Sequence, residues 1–310
     1  MILTITANPS IDMSYFLDEL VENDINRTSK VDKTAGGKGL NVSKVLKILG
    51  EEVKATGFLG GRNGEFIEDE LAERKIQTDF VKISENTRNC IALLYGGKQT
   101  EILEAGPKIS VAEEKDFIDK LDSIINADMM VSISGGIPRG LKTDFYARII
   151  KIINDKGAKA VLDTSGEPLS EVLKQDELPF LIKPNLEELE DFLQKKIGSD
   201  TNRVGAILKE GVLGKLPNIL VSLGSDGAIA RFGSELYRSY TPKIKVISPV
   251  GSGDATVAGY IHGVQRKLND IDVLKTAMTC GVLNAMQIKT GHIALSDFKE
   301  IFEQIKVELI

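Results

Sequence analysis

The chain has 310 residues, 42% hydrophobic and 27% charged, which is enough material for a large globular core in one domain or two. Lys+Arg 39 against Asp+Glu 45 leaves a net charge of −6, so no basic field is available for nucleic acid or an anionic membrane, and an anionic ligand would need a local cluster of cations. Cys90 and Cys280 lie far apart with no CxxC pair, and only two histidines accompany them; this argues against a disulfide scaffold and a structural zinc site and fits a reducing cytoplasm.

The opening residues, MILTITANPSID, turn polar early and carry no basic stretch, so neither a signal peptide nor a membrane span is expected. Ile2–Thr6 is a β-branched run broken by Asn8-Pro9-Ser10 and reads as a buried strand ending in a turn. Asp12 follows that strand, at the edge where open α/β sheets bind ligands, although an Asx turn capping the loop accounts for it equally well. Ser14–Leu17 and Arg27–Thr34 are mixed in polarity and are predicted as strands outside the main sheet. Next, Ala35-Gly36-Gly37-Lys38-Gly39-Leu40-Asn41 precedes Val42, Val45, Leu46 and Leu49 at helical spacing, with Gly50 as the stop signal. The P-loop spacing fails here, because Gly39 and not Ser or Thr follows Lys38. What remains is a glycine loop that puts a charge, Lys38, and an amide, Asn41, at a helix start; a helix N-terminus with a solvent lysine is the alternative.

Val53–Leu59 reads as a strand, and Gly60–Gly64 lacks the GxGxxG spacing of a dinucleotide loop. A helix is predicted over Phe66–Lys75, a strand over Phe80–Ile83, and a hairpin over Thr87–Tyr95 and Gln99–Glu104 around Gly96-Gly97. Joined to the two early strands, the hairpin would build a small separate sheet. Arg88 opens it and taken alone is an edge charge. From Ser110 strands and helices alternate: a helix to Ile125 capped by Ser110 and Glu113, a strand Met129–Ser134, a helix Thr143–Asn154, and a strand Ala160–Leu162 ending at Asp163. Strand Phe180–Ile182 runs into Lys183-Pro184-Asn185 and a helix Leu186–Gln194. Asn185 and Glu188 share its first turn, where their oxygens suit a hydrated Mg²⁺ or else form a simple capping pair. Strand Asn218–Ser222 is followed by the turn Leu223–Gly227, then by strand-like Ala228–Phe232, Glu235–Tyr240 and Lys243–Ile247. Everything after Asp254 is expected to be helix: Ala255–Lys267, Ile271–Ile288 and Ser296–Leu309. The pattern predicts a mainly parallel sheet with helices on both faces.

Between the last strands and those helices stands Pro249–Gly263, PVGSGDATVAGYIHG. Gly251, Ser252 and Gly253 can present several N–H groups to one point, backed by the positive end of a helix, as an anion site. Asp254 would there be placed to take a proton from an attacking hydroxyl, which suggests phosphoryl transfer; an acidic residue opening a helix after a glycine turn is the plainer reading.

Five loops in order carry a family resemblance over essentially the whole length: Asn8-Pro-Ser-Ile-Asp12, Gly36-Gly-Lys-Gly-Leu-Asn41, Lys183-Pro-Asn-Leu-Glu-Glu188, Ser222-Leu-Gly-Ser-Asp-Gly227 and Val250-Gly-Ser-Gly-Asp-Ala-Thr-Val-Ala-Gly259. The chain resembles the ribokinase-like sugar kinases of the PfkB type. Around Thr87–Cys90, Gln99–Glu104 and Thr290–His292 it most resembles the branch that phosphorylates tagatose 6-phosphate, with the fructose-1-phosphate kinases next. A departure is Ala255, where relatives often carry Ser or Thr; a backbone contribution at that position would leave function intact.

The resemblance implies an α/β ribokinase-like fold spanning 1–310 as one domain, with a small β-sheet lid formed by segments of about 12–34 and 87–106. It implies Asp254 as catalytic base, with Gly251, Ser252 and Gly253 completing the anion hole. Asp12, Gly37 and Asn41 would bind the sugar, and Lys38 and Arg88 its existing phosphate, with Arg27 helping from the lid or a neighbouring subunit. ATP would lie against Lys183, Asn185, Ser222, Gly224 and Gly227, with Asn284 near the adenine. Asn185, Glu188 and Asp163 would orient Mg²⁺ through water. A soluble cytoplasmic homodimer paired through the lid is the implied assembly.

Overall fold

A computed structural model describes residues 1–310. Strand β1, Ile2–Thr6, is wholly buried, as its β-branched run predicts. Strands β2, Ser10–Leu17, and β3, Lys30–Gly36, leave it, and the chain returns through helix α1, Lys38–Ile48, to strand β4, Val53–Leu59. Helix α2, Gly61–Glu73, begins earlier than predicted. Its glycines lower helix propensity, but a Cβ at Gly64 would come 3.1 Å from the Leu59 side chain, so the bare backbone lets this turn pack against β4. Two short strands, β5 Gln77–Thr78 and β6 Val81–Lys82, precede the hairpin of β7, Arg88–Tyr95, and β8, Lys98–Leu103.

The alternating part follows closely. Helix α3, Val111–Ile124, has the Ser110–Glu113 capping box; strand β9, Met130–Ser134, helix α4, Phe145–Asp155, and strand β10, Lys159–Asp163, come next. Helix α5, Gly166–Leu173, was not expected, and neither were α7, Thr201–Ile207, and α8, Gly211–Lys215. All three have eight residues or fewer, too short for a periodic signal to rise above its surroundings. Between them lie β11, Leu181–Ile182, and α6, Leu186–Leu193. Strands β12, Asn218–Ser222, β13, Ala228–Phe232, and β14, Glu235–Tyr240, match expectation, separated at the first turn by a 3-10 turn, Gly224–Asp226.

Two expectations fail near the end. Lys243–Ile247 forms no strand and crosses the surface as irregular chain, with Val246 and Ile247 more than half exposed. After α9, Ser252–Gln265, and α10, Asp270–Ala285, only a 3-10 turn, Leu295–Asp297, and the short α11, Phe298–Gln304, are helical. The chain then ends on strand β15, Lys306–Leu309, antiparallel to β14. That pairing covers an edge that would otherwise present unpaired backbone groups.

The large sheet runs β15-β14-β13-β12-β11-β10-β9-β1-β4-β5, with β6 also on β4. From β12 to β5 every pairing is parallel. Strand alternation divides the core. Leu3, Ile5, Val131, Ile133 and Leu162 pack with α3 to α8, whereas Ile2, Met130, Val161 and Leu220 pack with α1, α9 and α10. Because β1 has β4 on one side and β9 on the other, the winding reverses there, and the strand ends flanking that reversal form a crevice. A second sheet, β3-β2-β7-β8, stands apart from the first. Its register pairs Ser10 with Arg88 and Asp12 with Cys90, which brings two segments far apart in sequence to the crevice mouth.

Candidate active site

The crevice is a cavity of about 640 Å³ along the C-terminal ends of β10, β11 and β12, with the small sheet on its other side. Of the predicted site residues, Asp12, Gly37, Lys38, Asn41, Arg88, Asp163, Lys183, Asn185, Glu188, Ser222, Gly251, Gly253 and Asp254 all line it. The parallel strands explain this convergence: Asp163 ends β10, Lys183 follows β11 directly, and Ser222 ends β12.

At the centre, Gly251 takes a left-handed conformation, φ 81°, and α9 begins at Ser252, so Asp254 lies in the first turn. A Cβ at Gly251 would approach the Thr290 methyl to 2.4 Å, and only glycine satisfies both the space and the φ. Asp254 is 5% exposed, and the Asn41 side-chain amide donates to its Oδ2 at 2.9 Å across 213 residues of sequence. Burial and the neighbouring Asp163 push the Asp254 carboxyl up to about 7, against the pull of Asn41, Lys38 and Lys183. A carboxylate with that value is half ionised near neutrality and suits proton abstraction.

Asp163 sits beneath, 2% exposed, with Lys183 Nζ at 3.4 Å and Lys38 Nζ at 3.7 Å from Oδ1. Both Asp163 oxygens lack a hydrogen bond within the protein, an unusual state for a buried carboxylate. The Asp163 charge holds the Lys38 ammonium above its ordinary range, so two fixed cations face the floor of the crevice. A Cβ at Gly253 would stand 3.2 Å from Lys183 Nζ; the bare residue lets this cation approach the glycine turn.

Asn185 and Glu188 form a reciprocal cap: the Glu188 amide donates to Asn185 Oδ1 at 2.8 Å and the Asn185 amide to Glu188 Oε2 at 2.9 Å. The plainer sequence reading is therefore realised, and both side chains border the crevice as well. No cluster of three or more His, Cys, Asp or Glu side chains is arranged to hold a bare ion. The donor set fits a hydrated cation instead, with Glu188 and the Asp163 oxygens, which take no hydrogen bond within the protein, as acceptors for its waters.

On the small sheet, Ser10 Oγ donates to Asp12 Oδ1 at 2.7 Å. Burial raises the Asp12 pKa, while Ser10, Lys44 and Arg88 pull it back. Arg88 is half-buried; Nη1 donates to the Glu104 carbonyl at 3.0 Å and Nη2 to the Asn8 carbonyl at 3.3 Å, leaving buried Nε without a partner. Gly36 is needed for contact here, because a Cβ would fall 2.0 Å from Asp12 Oδ1. On the sugar-binding role that the resemblance implies for Asp12, Gly36→Ala should displace its carboxylate and raise KM for the sugar while leaving KM for nucleotide unchanged; steady-state kinetics with each substrate varied checks this.

Other predicted residues stand outside the lining. Gly224 and Gly227, with φ 59° and 95°, shape the turn after Ser222. Ser252 presents backbone, and its buried Oγ is unpartnered. Arg27 is exposed on the β2–β3 connection and does not reach this crevice. Asn284 is 1% exposed and spent on both ends, donating to the Val250 carbonyl at 2.8 Å and accepting from the Gly291 amide at 3.0 Å; it braces the glycine turn from behind. Sequence reading missed Ser10, Lys44 and Glu101. Of these Lys44 carried a signal, as a lysine between Val42, Val45 and Leu46 on an otherwise buried helix face.

The model of the pfkB family carbohydrate kinases matches residues 5–296. A tagatose-6-phosphate kinase of Staphylococcus epidermidis is 45% identical over 307 residues, 99% of each chain. Among solved structures, a candidate phosphofructokinase from Staphylococcus aureus superposes with a TM-score of 0.85 at 34% identity, covering 100% of this chain and 99% of that one. Phosphofructokinase-2 from Escherichia coli gives 0.90 at 23% identity, over 97% and 98%, a likeness of fold. With its crevice built at the strand ends and its full length matched, the chain belongs to the pfkB family of carbohydrate kinases.

Proposed function

We propose that this kinase transfers the γ-phosphoryl group of ATP to the 1-hydroxyl of D-tagatose 6-phosphate, giving D-tagatose 1,6-bisphosphate. The observation that carries the reading is Asp254: a buried carboxylate with a pKa near neutrality, oriented by Asn41 at the mouth of a glycine turn that opens a helix. A pure binding protein has no use for a base beside an anion site. The sugar is taken from the full-length tagatose-6-phosphate kinase relative.

In this reading Asp254 accepts the hydroxyl proton while the backbone amides of Gly251–Asp254 receive the transferring group. Asp12 and Asn41 hold sugar hydroxyls, with Gly37 admitting the ring against the backbone, and Lys38 and Arg88 hold the 6-phosphate. Lys183, Ser222, Gly224 and Gly227 face the nucleotide phosphates and ribose. The exposed apolar rim of Ile247, Val250 and Ile288 receives the adenine, and Asn284 acts through the loop it braces. Asn185, Glu188 and Asp163 would hold Mg²⁺ through water, and the ion would supply charge neutralisation on the phosphates.

The small sheet serves as the lid of a single 1–310 domain, closing over the sugar to exclude water. Its residues Val31 and Ile102 are exposed apolar side chains outside the crevice lining and support pairing with a second copy, which would bring Arg27 toward the partner's crevice. No helix is long and apolar enough to cross a membrane. Both cysteines are free thiols, which supports a reducing, cytoplasmic setting. ADP release measured with tagatose 6-phosphate and fructose 1-phosphate under ATP and Mg²⁺ tests the assignment. A higher kcat/KM for tagatose 6-phosphate is expected; preference for fructose 1-phosphate would reassign the substrate, and no turnover with either would remove the reading.

A further inference from the structure

Beneath Asn41, one turn along α1, lies Lys44, which is 3% exposed and takes no part in the chemistry described above. Its ammonium donates to the Ala35 carbonyl and, at 3.4 Å, to Asn41 Oδ1. The other end of the same amide, Nδ2, is the group that donates to Asp254. Ala35 is the penultimate residue of β3, where the small sheet enters the core, and its N–H donates to Glu70 of α2. Glu70 is held in turn by Arg74 at 2.9 Å. Ala35 is thus gripped at both its carbonyl and its N–H, by the buried Lys44 and the partly buried Glu70, and the grip continues through Asn41 to the base.

We infer that Lys44 is a positioning residue for the catalytic base: it sets the sense of the Asn41 amide toward Asp254 and ties that amide to the point where the lid joins the core. The chemistry is directional. An ammonium has three donors and no acceptor, so its neighbour must present oxygen to it. An Asn41 amide turned over would put its NH₂ against Lys44 and its carbonyl against the Asp254 carboxylate, two repulsions replacing two attractions. Asn41 alone, without Lys44, has no such preference from that side.

The charges that face Lys44 come from three other elements: Glu70 of α2 with Arg74 at its C-cap, Asp12 from β2 and Asp254 from α9. Burial lowers the lysine to about 8 despite Glu70, so it remains charged at neutral pH. A buried lysine is costly to keep and persists where its neighbours compensate it. Here those neighbours are the sugar-binding carboxylate, the base and the lid junction.

The inference rests on Asp254 acting as the base, and its test is separable from that assignment. Lys44→Met should lower kcat about tenfold, the worth of one charge-assisted hydrogen bond, and move the acid limb of kcat/KM to higher pH, with KM for ATP unchanged. Lys44→Arg, which retains charge and donors, should restore both. Should the methionine variant fail to fold, Lys44→Gln keeps an N–H donor without the charge, and its acid limb should still move upward. Wild-type kcat and an unmoved acid limb in a folded Met or Gln variant would overturn the role of Lys44. An Asp254→Asn enzyme with near-normal turnover would instead overturn the base itself.

Discussion

Asp254→Asn is expected to lower kcat by roughly 10²–10⁴-fold, the contribution of one general base, with little change in either KM. The amide nearly matches the carboxylate in shape and can keep a hydrogen bond with Asn41, so substrate binding survives while proton acceptance is lost. In the proposed mechanism the ionised Asp254 carboxylate is the active form. Because burial, reinforced by Asp163, raises its pKa to about 7, kcat/KM should fall as pH drops through that value. Stability runs the opposite way. The native carboxyl holds its proton up to about 7, whereas the unfolded chain releases it near 3.8. The stabilisation from that proton is fully present below 3.8 and is lost as pH rises through about 7. Asp254→Asn is free of this loss and should be more stable than wild type above neutrality, by at most roughly 4 kcal/mol at 1.36 kcal/mol per pKa unit. Melting temperatures of both proteins at pH 5 and pH 8, together with kcat, check the two halves. A variant that turns over at the wild-type rate removes Asp254 from the chemistry; one whose Tm advantage is no larger at pH 8 than at pH 5 removes the buried charge as the cause.

Arg88→Ala should raise KM for the phosphorylated sugar about 100-fold, in line with the loss of a charged hydrogen-bonding fork to a phosphate, and change KM for ATP by less than about twofold. The guanidinium is already aimed by the Asn8 and Glu104 carbonyls, and its Nε is left unpartnered inside the protein. A preset fork loses little freedom on binding, which is why Lys at this position should not rescue. Unphosphorylated tagatose supplies the control: its weak use should be unaffected by the substitution. Equal losses with sugar phosphate and ATP would show that Arg88 supports the crevice generally and does not read the phosphate.

Local physics made much of this protein readable from its residues. The β-branched runs of β1, β4 and β12, the capping box of α3 and the glycine turns before α1 and α9 depend on neighbours a few positions apart, and all form where expected. Polar residues placed just after buried strands likewise predicted a shared edge, since parallel strands end on one side. Other features depend on what lies across the fold. The helical start of α2 needed Leu59 to pack against Gly64, and β15 needed the open edge of β14. Val246 and Ile247 read as strand but found no partner strand, and Ile247 became part of the crevice rim. The same holds for the chemistry. The glycine turn and Asp254 are evident in the sequence, but a carboxylate beside glycines is equally a helix cap. Its pKa near neutrality comes from burial and from Asp163, and its orientation comes from Asn41 and Lys44, all remote in the chain. Desolvation and charge coupling act through space at a few ångströms, and only the folded chain sets those distances.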